Sequence, residues 1–149
     1  MSIIKDTIKA AMKEAMRAKE KERLSTIRMI QAEFKRIEVD ERIEIDDERV
    51  LVVLDKMSKQ RRDSMSQFQD AGRDELAAKE QADLDVIQSF LPAQLTADEI
   101  DQIVAQAITD SGAASMQDMG KVMAIVKPQI QGRADAGAVS GIVKAKLNA

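Results

Sequence analysis

The sequence predicts an all-α protein: an N-terminal bundle of about four helices over residues 1–92, then a small three-helix domain over 93–149. Three observations carry this. Apolar residues recur at helical spacing along most of the chain. Aromatic residues, which mark sheets, make up only 2%, and the apolar set is mainly Ile, Leu, Val, Ala and nine Met. Capping residues punctuate the periodic runs, and Pro92 and Pro128 are the only prolines.

The first helix is expected over about 3–18, where Ile4, Ile8, Ala11, Met12, Ala15 and Met16 share helical spacing. Lys5, Lys9, Lys13 and Arg17 form an i,i+4 basic row on its other face, of a kind that can meet a phosphate backbone or simply face water. The second helix, over about 21–40, lines up Leu24, Ile27, Ile30, Phe34 and Ile37. Residues 38–48, EVDERIEIDDE, read as a loop or a frayed helix end, and Asp46 or Asp47 can cap the third helix.

That third helix, over about 48–71, is the longest, and Gly72 suits its end. Its stripe is Val50, Val53, Leu54, Met57, Met65 and Phe68, interrupted by Arg61. The fourth, over about 74–90, has the complementary interruption, since Glu80 and Asp83 share a face with Leu76, Ile87, Phe90 and Leu91. A base and two acids on facing apolar stripes point to an interhelical ion pair; the alternative is that Arg61 snorkels to water. Such a pair is architectural, because it has neither a nucleophile nor a shiftable proton.

Pro92 marks the joint, as it forces Leu91 out of the helical region. Thr96 and Glu99 then form a capping box that opens a fifth helix, closed at Gly112, with Ile100, Ile103, Val104, Ala107 and Ile108 inward. Ser115 and Asp118 resemble a second box, so a sixth helix is expected from near Met116, packing Met119, Val122, Met123 and Val126. Beyond it lies a hinge carrying Pro128, Gly132, Arg133 and Asp135. Asp135 can cap a seventh helix that packs Val139, Ile142, Val143 and Leu147.

Composition excludes much chemistry. With no Cys and no His, thiol nucleophiles, disulfides, His-based acid–base schemes and the usual zinc sites are out. No Gly-rich phosphate loop occurs, and the acidic run lacks the order and glycine of an EF-hand. No catalytic residue, metal or cofactor is therefore expected. The charged start and the lack of any apolar run near 18 residues argue against a membrane and suggest a cytoplasmic protein.

Net charge is −3, but its distribution is informative. By count, residues 1–36 are +5, 37–60 are −4, 61–95 are −3, 96–118 are −5 and 119–149 are +4. Lys121, Lys127, Arg133, Lys144 and Lys146 supply the last figure, against Asp135 alone. The first three are expected to gather at the hinge, beside the positive dipole end of the seventh helix. Without Tyr or Trp, base stacking is disfavoured, whereas backbone and shape recognition of a folded RNA stays open. A protein-interaction adaptor without an RNA role is the other reading.

The segment MGKVMAIVKPQIQGRADAGAVSGIVKAKL resembles the C-terminal signature of the GatB/YqeY family. RLSTIRMIQAEFKRIE and KQRRDSMSQFQDAGRDELAAKEQADLDVIQSFLPAQLT extend the resemblance to stand-alone YqeY-like proteins across essentially the whole chain. It implies a two-part helical protein whose C-terminal part is similar to the tail domain of the tRNA-dependent amidotransferase B subunit, which helps hold tRNA. Under it, Lys121 and Arg133 match basic positions, and Gly120, Gly132 and Asp135 structural ones. The expected partner is tRNA or a tRNA-handling enzyme, not DNA. Any carbon–nitrogen ligase activity would be inherited from the larger proteins, and an accessory role in such a reaction is the alternative.

Overall fold

The computed structural model describes residues 2–148, and all regular secondary structure among them is helical. They form seven α-helices: α1 (Ile3–Arg17), α2 (Lys21–Glu41), α3 (Asp47–Asp70), α4 (Asp74–Gln88), α5 (Ala97–Ser111), α6 (Met119–Ile130) and α7 (Ala136–Leu147). The chain separates into two compact units, Met1–Pro92 and Ala93–Ala149.

In the first unit, α3 and α4 form the most extensive helix pairing, with α1 and α2 packed beside them. Ile8, Ile27, Ile30, Phe34, Val50, Leu54 and Ile87 supply its closed core. Local chemistry sets the starts of two helices. The Ser2 hydroxyl accepts from the Lys5 N–H at 3.0 Å and opens α1, and Asp46 accepts from the Arg49 N–H at 2.8 Å and opens α3. The acidic segment is more ordered than a frayed loop: α2 runs to Glu41, Arg42 turns it off at φ 54°, and Ile45 is fully buried.

Several of its carboxylates are already engaged. Glu38 accepts from the Lys5 ammonium and the Ile45 N–H, Glu41 pairs with Arg49, and Asp47 accepts from the Ser2 hydroxyl and the Ile4 N–H. Among the described residues no three carboxylates gather as a metal site, and no helix is long and apolar enough to cross a membrane.

In the second unit, Val104, Ala107, Val122, Val126, Ile130, Val139 and Val143 are buried together. Thr96 and Glu99 make both bonds of the capping box, at 3.2 and 3.1 Å, and Gly112 ends α5 at φ 69°. Three local expectations differ from the structure. Ser115 makes no capping bond; a 3₁₀ turn, Met116–Asp118, precedes α6, and the Asp118 carboxylate instead accepts from the Ala114 N–H at 3.0 Å. Pro128 lies inside α6 rather than in the hinge. The carbonyl it leaves without a helical donor belongs to Ala124, an exposed residue within reach of water. Asp135 occupies the N-cap position of α7 with extended backbone, yet its side chain makes no capping bond.

Candidate nucleic-acid interface

The hinge between α6 and α7 is built around Gly132, which is buried and sits at φ 73°. That conformation is cheap for glycine and strained for other residues. It turns the chain so that the N–H groups of Arg133 and Ala134 both reach the Ile130 carbonyl, at 2.8 and 3.1 Å. The outer edge of the hinge then receives the segment that enters this unit. The Leu95 N–H donates to the Arg133 carbonyl at 2.8 Å, the Gln94 side-chain amide donates to the Gly132 carbonyl at 3.0 Å, and the Arg133 Nε donates to the Ala93 carbonyl at 3.3 Å. Arg133 is therefore half-buried and engaged with backbone.

Of Lys121, Lys127 and Arg133, expected together at the hinge, Lys121 stands away from it. Lys121 is in the first turn of α6, so nine residues separate it from Ile130, about 14 Å at the helical rise. There it is 71% exposed and 3.7 Å from the Asp118 carboxylate. Asp118 is held below the usual carboxylate range, first by the Ala114 N–H and less by Lys121. Lys127 is exposed in the last turn of α6, and Lys144 and Lys146 are exposed in the last turn of α7, where they complement the helix dipole.

Of the remaining positions singled out, Gly120 has open space where a Cβ would stand, so packing does not demand glycine there. Pro92 is exposed at the end of the first unit. Charge in the second unit is sorted by helix. On α5 lie Asp98, Glu99, Asp101 and Asp110 with no base, whereas α6 and α7 carry the four lysines with no acid.

Arg61 and Glu80 meet in the first unit, on α3 and α4. The guanidinium donates to Glu80 at 3.1 Å, stands 3.9 Å from Asp83, and reaches the Met29 sulfur at 2.7 Å. Thr26 completes the cluster by donating to Asp83 at 2.8 Å. Met29 and Thr26 carried no signal in the sequence, because α2 meets this cluster only through tertiary packing. The cluster contains no nucleophile.

A family profile described as Yqey-like protein matches residues 5–147. The protein named "Altered inheritance of mitochondria protein 41, mitochondrial" of Pyrenophora tritici-repentis is 33% identical over 135 residues, covering 89% of this chain and 74% of the relative. The proteins of the same name from Kluyveromyces lactis and Eremothecium gossypii are 34% and 36% identical over 69% and 58% of this chain. Those matches span 57% and 48% of the relatives, less than two thirds of their length.

The relatives also correct the expected cytoplasmic location, because each is named as a mitochondrial protein. The lack of a long apolar run bears on membrane-spanning helices alone and carries no information about the compartment. A profile match across nearly all of the chain, with a relative one-third identical over nine-tenths of it, establishes that this protein belongs to the YqeY-like family.

Proposed function

We propose that this YqeY-like protein is a non-catalytic helical module that binds tRNA through the lysine-bearing helices of its second unit. The observation that carries the reading is the sorting of charge by helix: four exposed lysines on α6 and α7, and acids confined to α5 and the turns. Phosphates are met by such lysines without stacking or groove insertion, which suits a chain lacking Tyr and Trp. The resemblance to the amidotransferase tail domain supports tRNA as the RNA concerned. Catalysis is disfavoured by the lack of His and Cys and by a buried-edge cluster, at Arg61, that has no nucleophile. A tRNA-handling enzyme is the partner that the same resemblance offers if RNA itself is not bound.

The test is filter binding of a tRNA transcript at low salt. Changing Lys121, Lys127, Lys144 and Lys146 to Glu together is expected to weaken retention at least tenfold with unchanged helical circular dichroism. Equal retention by the variant, or none by the wild type, would refute the reading.

A further inference from the structure

The outer face of α1 carries a second cationic surface, on the other unit. The inner face of this helix is fully used: Ile8 and Ala15 are buried, and Ile4, Ala11 and Met12 pack against the same core. The basic row lies opposite. Lys5, at its N-terminal end, is taken up by Glu38, which it meets at 2.9 Å. Among the described residues Lys9, Lys13 and Arg17 are exposed and form no ion pair, and the same holds for Lys19 and Lys21 at the turn into α2. Successive members of the row are separated by about 6 Å along the axis, and Lys9 to Arg17 spans about 12 Å.

From this placement we infer that Lys9, Lys13 and Arg17 form a phosphate-tracking face that binds the backbone of a folded RNA, separate from the lysines of α6 and α7. A lipid surface fits the face poorly. An interfacial helix buries its apolar side in the bilayer, and here that side is closed in the core. Only Ile3 and Met16 remain as large exposed apolar residues on α1. A protein partner also fits poorly, since protein interfaces are depleted in lysine and enriched in aromatics at their centres. Evenly spaced, unpaired cations with little exposed apolar surface beside them suit a line of phosphates, which asks only for charge at regular intervals.

The inference takes its probe from the proposed RNA reading but rests on different residues, so one titration series separates them. Binding of a tRNA transcript would be measured from low to moderate salt for the full chain. The comparison is with the neutralised variant Lys9→Gln/Lys13→Gln/Arg17→Gln and with the quadruple α6–α7 variant. Removing three phosphate contacts is expected to lower the slope of log affinity against log salt by about 2–3 and to weaken low-salt binding about tenfold or more. Vesicles of phosphatidylserine and phosphatidylcholine are expected to retain no protein.

An unchanged slope and affinity in the α1 variant would overturn this face while leaving the α6–α7 reading intact. The converse pattern would sustain this face and sink that reading. Vesicle binding by the wild type without RNA binding would overturn both.

Discussion

Arg61 on α3 and Glu80 on α4 are joined at 3.1 Å, and the arginine is also the nearest cation to Asp83, at 3.9 Å. The three side chains are 23%, 14% and 18% exposed, so the cluster is neither solvated nor sealed. Removing the arginine would leave two carboxylates about one helical turn apart, partly desolvated and without a cation at ion-pair distance.

The expected cost of Arg61→Ala is therefore about 2 kcal/mol, between the ~0–1 of an exposed pair and the ~3–5 of a buried one. Urea denaturation of Arg61→Ala, Glu80→Ala and the double variant should give a coupling of about 1–2 kcal/mol. Strict additivity would show that the pair contributes no net stability of its own.

The local parts of this fold were open to reading from sequence. Thr96 and Glu99 satisfy each other's backbone donors whatever lies around them, and Gly72, Gly112 and Gly132 do take positive φ. Arg61 was readable as a break in an apolar stripe. The elements that stayed hidden depend on distant partners. Arg42 adopts φ 54°, an uncommon conformation for a non-glycine residue, where α2 gives way to the buried Ile45.

That path is held by Glu38, which binds Lys5 from α1 and Ile45 from the loop, and no local pattern encodes it. The hinge has a distant partner too. Arg133 has the residue type of a phosphate ligand, yet its side chain is directed to a carbonyl forty positions earlier in the chain.

Acid should loosen the start of α1 before it unfolds the rest. Glu38 is held below its ordinary pKa by the Lys5 ammonium and then by the Ile45 N–H. Asp47 is held below its ordinary value by the Ser2 hydroxyl and then by the Ile4 N–H. Both groups bind protons more weakly folded than unfolded. Their contribution is complete above the ordinary carboxylate pKa and is lost as pH falls through the lowered folded values.

Amide exchange in the first turns of α1 should accelerate in that acid range relative to α3, after correction for the intrinsic rate. In Glu38→Gln the part of this response that comes from Glu38 should vanish. Uniform loss of protection across the first unit would show that these bonds are not the acid-sensitive element.

The last prediction separates the structural from the binding use of the hinge. Gly132 is buried at φ 73°, and its carbonyl and that of Arg133 receive Gln94 and Leu95. Alanine at this position would be strained by about 1–2 kcal/mol, and a shifted carbonyl would also release the incoming segment. A unit of this size has little stability to spare, because small domains bury a modest share of their surface.

Arg133→Gln removes a 3.3 Å side-chain bond and the attraction of its charge for Glu99, and should cost under about 1 kcal/mol, since both backbone bonds of Arg133 survive it. Because the guanidinium is turned toward Ala93, that change should also weaken tRNA binding less than Lys127→Gln, whose ammonium is free at the surface. Thermal melts and tRNA titrations on the three variants would check the order. If Arg133→Gln weakens binding as much as Lys127→Gln, the guanidinium must leave Ala93 when RNA binds, and the hinge itself then belongs to the contact face.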